Sequence, residues 1–278
     1  MTIVRRGVAV ASLVTSVLLL TSCAGDSPSD DSAGPVSHEY LPGLEAYPHL
    51  PTGVTAAPVV VMIPGGGWVS ADPSGYDELA DALAESGILA MPVRIRAAAD
   101  AVTYPVPVED VLCALADGAA TAREAGIEPT SLVLLGHSSG AHLSAVASLA
   151  PETVEPRCDE PLVDADGFVG LAGPYDIREF APMAEELLGE PPAANPDAWA
   201  LANPVLLAGR RPEVPALLLH GDADGVVPAW ATQGLADALR AGGHESTVDI
   251  VPGADHASIY SAEVAGPPVV DWVTSLAG

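Results

Sequence analysis

Six short runs dominated by Val, Leu, Ile, Met and Ala recur along this chain, at 58–63, 88–93, 131–135, 167–172, 215–220 and 246–251. Between them lie stretches with helical spacing of apolar residues, at 76–86, 108–125, 139–149, 229–241 and 268–276. A strand wetted on one face alternates apolar and polar side chains, whereas a run nearly bare of polar residues is buried on both faces. Buried strands separated by helices predict an α/β fold, with a mostly parallel sheet covered by helices on both faces. In such sheets ligands gather at the carboxyl ends of the strands. A chain of 278 residues with 49% hydrophobic content can supply one substantial core. Aromatic residues make up only 4%, so aliphatic side chains must do most of the packing.

The first residues read as a separate unit. "MTIVRR" carries two positive charges, and the apolar stretch "GVAVASLVTSVLLLT" follows, ending at "SC". The stretch is shorter than the ~20 residues a spanning helix needs and has the layout of a signal peptide. "LTSC", ending at Cys23, resembles the bacterial lipobox, in which the cysteine is lipidated before cleavage ahead of it. The expected organisation is a lipoprotein signal over 1–22, a flexible tether over 23–37 and one folded α/β domain over 38–278. The chain would then be exported and lipid-anchored to the outer face of a bacterial cell membrane, or otherwise secreted. Export to an oxidising compartment leaves Cys113 and Cys158 as an even pair, either a disulfide or two small buried hydrophobes. The formal net charge of -27 repels phosphate backbones and anionic lipid, so no nucleic-acid partner is expected and the membrane is met only through the anchor.

The chemistry starts at "LVLLGHSSGAHL", 132–143. Gly136-His137-Ser138-Ser139-Gly140 fits G-x-S-x-G, placed after a buried strand and before a helix. The sharp turn exposes Ser138 as a nucleophile, the glycines keep the turn free of clashes, and Ser139 contributes its backbone N–H. A serine hydroxyl needs a base to take its proton. Of seven histidines, His256 in "PGADHASIY" lies after the last strand, at a carboxyl end. The acid comes from "LLLHGDADGVVP", where the spacing favours Asp224 over Asp222, whose other role is to form the turn. Asp255 adjoins His256 too closely in sequence to be its partner. "IPGGGW", after the first strand, supplies backbone N–H groups of Gly66 and Gly67, which with that of Ser139 would form an oxyanion hole. Acyl-side contacts are expected from Trp68, Tyr175 and the stretch 178–209, long enough for a partial cap.

Together "PGGGW", "GHSSGAHL", "HGDADGVVP" and "GADH" resemble the α/β-hydrolase superfamily. They are most similar to bacterial esterases near hormone-sensitive lipase, kynurenine formamidase and feruloyl or acetylxylan esterases. "VRIR" and "YPVPVEDV" stand where those enzymes commonly carry "YRL" and "FPAAxxDV", so the likeness covers most of 58–260. It implies the α/β-hydrolase fold and Ser-Asp-His roles for Ser138, Asp224 and His256. Two positions depart from the pattern: Pro64 replaces the histidine that braces the oxyanion loop, and Val93 replaces the tyrosine of "YRL". The expected activity is hydrolysis of carboxylic esters, a small acyl group on a small alcohol or sugar, with no metal or organic cofactor. The alternatives are an amidase, formamidase or exopeptidase with the same residues, or a surface-anchored binding lipoprotein without turnover.

Overall fold

A computed structural model describes residues 37–276, so the leader, Cys23 and the tether before 37 lie outside the described residues. The described chain opens with a hairpin, β1 (His38–Leu41) and β2 (Leu44–Ala46), which the apolar pattern is too short to announce. Then come β3 (Ala56–Ile63), α1 (Asp77–Glu85), β4 (Leu89–Pro92), α2 (Val106–Glu124), β5 (Glu128–His137), α3 (Ser139–Leu149) and β6 (Gly167–Leu171). Three short helices come next, α4 (Ala181–Leu188), α5 (Pro196–Leu201) and α6 (Pro204–Leu207). The chain continues with β7 (Ala216–Gly221), α7 (Trp230–Gly242), β8 (Ser246–Val251) and α8 (Ala262–Leu276). All six expected runs enter one sheet, ordered β4-β3-β5-β6-β7-β8, with every neighbouring pair parallel.

The two faces of that sheet follow from the two-residue period of a strand. Val59, Val61 and Ile63 of β3 face the core layer that also holds Val111 and Leu115 of α2, Val146 of α3 and, farther along the sheet, Leu235 of α7. Val60 and Met62 point the other way, into Leu79 and Leu83 of α1 and Val269 and Val273 of α8. Helix α8 begins six residues before the expected start and runs through Pro267 and Pro268. The prolines remove amide donors, but Pro267 lies on the exposed side, where water can serve the freed carbonyls. Among the described residues no helix is long and apolar enough to cross a membrane.

The strand order positions the site. The chain passes from β3 outward to β4, then returns to β5 on the other side of β3. This reversal opens a crevice beyond the carboxyl ends of β3 and β5, the place where open α/β sheets hold ligands. The glycine run leaves β3 there, and Ser138 leaves β5 beside it.

Cys113, on α2, and Cys158, in the loop after α3, are joined by a disulfide with Cα atoms 5.0 Å apart. It closes a 45-residue span, for which the chain-entropy account gives a stabilisation of about 4 kcal/mol. The double variant Cys113→Ala/Cys158→Ala is therefore expected to lose a few kcal/mol in denaturant titration; an unchanged midpoint would contradict this contribution.

Candidate active site

Each end of the crevice is built from a local feature of the sequence. Ser138 sits between β5 and α3 with φ 52° and ψ −122°, a conformation that costs an ordinary residue energy and marks functional turns. A Cβ on Gly136 would stand 2.2 Å from the carbonyl oxygen of Gly140, and one on Gly140 would stand 2.2 Å from that of Ile63. The turn therefore closes only with glycine at both positions, and its second glycine lets α3 press against the end of β3. Ser138 N–H donates to the Leu171 carbonyl at 2.8 Å, tying the turn to β6 as well.

Three strand ends bring their side chains together here. His256 Nε2 lies 3.0 Å from Ser138 Oγ, and His256 Nδ1 lies 2.7 Å from Asp224 Oδ2. Asp224 Oδ1 accepts the N–H groups of Val226 and Val227 at 2.8 and 2.9 Å. Burial pushes the Asp224 carboxyl upward, but the His256 bond and the two amide bonds outweigh it and hold the group below the ordinary carboxylate range. With Nδ1–H engaged by Asp224, Nε2 of a neutral His256 is a bare acceptor facing the serine hydroxyl. Asp222 instead accepts the Gly253 N–H at 2.6 Å and shapes the turn. The Asp255 carboxylate accepts from the N–H of Ser258 at 2.8 Å, in the loop beyond His256.

The glycine run stands across from the serine. Gly66 has φ 149°, and a Cβ there would lie 2.1 Å from the Ser70 carbonyl oxygen, so the loop requires glycine at this point. The N–H groups of Gly66 and Gly67 make no backbone bond to another described residue, and neither does that of Ser139 at the start of α3. Ser139 is buried and its side chain is not among those lining the cavity beside Ser138.

A cavity of about 370 Å³ lies over these groups. It is lined by Pro64, the three glycines, Ser138 and His256 together with Asp72, Gly75, Tyr76, His137, Met183, Val226 and Tyr260. The expected acyl contacts Trp68 and Tyr175 are not among them. Both side chains are buried in the core, at 3% and 0% exposure, because the apolar layer under the site needs their bulk. From the stretch 178–209 only Met183, on α4, lines the cavity. Val226 and Tyr260 end up beside the site from within "HGDADGVVP" and "PGADHASIY", where only the acid and the histidine draw notice, and Tyr76 lies in no motif.

Two histidines outside the expected set support the arrangement. His220, at the end of β7, donates from Nε2 to the Val227 carbonyl at 2.8 Å and accepts at Nδ1 from Thr232 Oγ1 at 2.7 Å. It thereby holds the loop that carries Asp224. His137 donates from Nε2 to the His256 carbonyl at 2.8 Å, and its ring packs on His256 and Tyr260 with centroids 4.7 and 4.5 Å apart. Its place beside Ser138 is visible in the motif, but its partner, a main-chain oxygen more than a hundred residues away, is not.

Burial lowers His137 to about 4, with the neighbouring His256 adding to the shift. Burial likewise lowers His142, on α3, to about 4. In the unfolded chain these groups titrate near the ordinary value of about 6.5. Between those values the unfolded state binds more protons, so stability is complete above the unfolded pKa and declines as pH falls through the window. Each group is expected to cost about 1.4 kcal/mol per pH unit there. Urea midpoints measured from pH 7 down to pH 4 should therefore fall steadily, and a flat profile above pH 5 would contradict neutral buried histidines.

Comparison with known proteins places the geometry in a lineage. The profile of the BD-FAE family matches residues 48–239. The probable carboxylic ester hydrolase LipM of Mycobacterium tuberculosis is 32% identical over 199 residues, 66% of this chain and 45% of that protein. The chain thus spans about half the length of this curated relative. A truncated carbohydrate esterase from gut microbiota superposes with a TM-score of 0.69 at 22% identity, covering 84% of this chain and 90% of that one. A thermophilic esterase from the Planctomycetes species Thermogutta terrifontis, in a propionate-bound form, gives 0.71 at 20% identity, covering 87% and 93%. At such identities the structures establish the α/β-hydrolase fold, and the profile match over most of the chain goes further: this protein is a member of the BD-FAE family.

Proposed function

We propose that the protein is a serine esterase that hydrolyses carboxylic esters by acyl transfer, with Ser138 as nucleophile, His256 as base and Asp224 as its orienting acid. The observation that carries this reading is the continuous bonded chain from Asp224 Oδ2 through both ring nitrogens of His256 to Ser138 Oγ. Ser138 Oγ attacks the ester carbonyl while His256 Nε2 takes its proton, and Asp224 stabilises the imidazolium that forms. The carbonyl oxygen, now an anion, is received by the N–H groups of Gly66, Gly67 and Ser139. His256 returns the proton to the leaving alcohol, and water repeats the sequence on the acyl-enzyme. The residues complete this cycle by themselves, so the reading calls for no metal or organic cofactor.

The substrate we favour is a small acyl group on a small alcohol or sugar. A cavity of about 370 Å³ supports this, lined by Met183, Val226 and two tyrosines besides the carboxylate of Asp72, with only one residue contributed by the segment 178–209. The relatives described as a carboxylic ester hydrolase and a carbohydrate esterase support the coarser reading, ester hydrolysis. For localisation we propose export and lipidation at Cys23, on the sequence of the leader. The membrane contact would then be the anchor alone.

With p-nitrophenyl acetate as substrate, Ser138→Ala is expected to lower kcat by about 10⁴-fold or more. Asp224→Asn should cost about 10⁴-fold through the wrong imidazole tautomer, whereas Asp222→Asn should stay within a few-fold of the parent. Undiminished turnover in Ser138→Ala, or equal losses in the two aspartate variants, would overturn the assignment. Paired ester and amide substrates with the same acyl group separate the esterase from an amidase.

A further inference from the structure

The oxyanion loop presents a physical problem. Pro64, Gly65, Gly66 and Gly67 carry no side chain able to donate or accept a hydrogen bond, and three successive glycines have wide conformational freedom. Yet donors for an oxyanion act only when held close to their productive geometry, and a displacement near 1 Å can cost about 10²-fold. The residue that ends the run, Trp68, is the first with a polar side-chain atom. Its backbone turns through φ 61°, its side chain is buried, and its carbonyl accepts the N–H of Ala98 at 3.0 Å.

Trp68 Nε1–H donates to Nδ1 of His142 at 3.2 Å, with the two rings edge to face, 5.2 Å apart at 87°. His142 is fully buried, and its Nε2 lies 2.7 Å from the Ala202 carbonyl oxygen. A carbonyl only accepts, so Nε2 carries the proton and Nδ1 is left bare to receive the indole. The tautomer is therefore set by Ala202, at the carboxyl end of α5, and read by Trp68. His142 also sits one helical turn beyond the nucleophile, its N–H donating to the Ser138 carbonyl at 3.2 Å. One side chain thus links the glycine loop, the helix that carries the serine and the segment 178–209.

We propose that His142 is the positioning residue of the oxyanion loop: through Trp68 it sets where the Gly66 and Gly67 N–H groups stand relative to Ser138 Oγ. The inference rests on the acyl-transfer reading. It assigns His142 no contact with substrate, so its effect falls on transition-state stabilisation and leaves ground-state binding nearly untouched.

The test uses four variants of the full chain. Trp68→Phe keeps the aromatic bulk and removes the N–H; His142→Leu removes the acceptor; His142→Asn restores an acceptor oxygen near the Nδ1 position; Trp68→Phe/His142→Leu combines the two losses. With p-nitrophenyl acetate, Trp68→Phe and His142→Leu should each lower kcat about 10- to 100-fold with KM within about three-fold. The double variant should be no worse than the poorer single one. His142→Asn should recover about ten-fold over His142→Leu. In the proton spectrum, the Trp68 indole N–H, assigned by its loss in Trp68→Phe, should move upfield in His142→Leu and return in His142→Asn. Full kcat in Trp68→Phe, losses confined to KM, additive losses in the double variant, or an indole signal indifferent to His142 would each overturn the proposal. Parent protein that hydrolyses no ester would instead contradict the acyl-transfer reading, and this inference with it.

Discussion

The close approach of α3 to the end of β3 is the contact on which the site depends. Gly140 lies so near the carbonyls of Ile63 and Pro64 that a single methyl group could not be inserted, and Gly136 is pressed as tightly against Gly140. This crossing exists because the strand order reverses between β3 and β5, which leaves their carboxyl ends adjacent and uncovered. It forces Ser138 into its unusual backbone conformation and directs its hydroxyl outward, and it brings the glycine run of the neighbouring strand to within reach of it. Without the crossing, the remaining groups would be three unrelated loops at the edge of a sheet.

Around this contact, histidines at strand and helix ends divide the work by their neighbours. His256 has one nitrogen committed to a carboxylate and the other facing the serine. His137 and His220 each give an Nε2 proton to a main-chain carbonyl, one holding the loop of His256 and the other the loop of Asp224. His142 does the same toward Ala202 and offers its other nitrogen to Trp68. Burial lowers the pKa of the three supporting rings, so they act as fixed dipoles at neutral pH. Charged groups in their places would add repulsion around the imidazolium that the proposed mechanism forms at His256.

Much of this is legible in the residues, and the rest is hidden for definite causes. The six strands announce themselves because both faces of each are covered, which removes polar residues from the run. The tight turn at Ser138 and the pairing of His256 with Asp224 and not Asp222 are readable because local geometry dictates them: glycine where a Cβ cannot fit, and a carboxylate at a set distance past a strand. The hairpin of β1 and β2 escapes notice because three- and four-residue strands leave no period to read. Trp68 and Tyr175, expected at the cavity, lie in the core, since an aromatic side chain near a site has the same composition signal whichever way it points. Tyr76, Val226 and Tyr260 reach the cavity from three separate elements, and only the folded chain brings them together.

The central claim is that this crossing arms one serine among the two in "GHSSG". Peptide mapping after reaction of the folded protein with a fluorophosphonate tests it most directly. The expected result is one adduct, on Ser138, formed rapidly by the parent protein and lost when His256 is replaced by Ala. An adduct on Ser139 or a remote serine, or labelling of Ser138 at the same rate without His256, would contradict it.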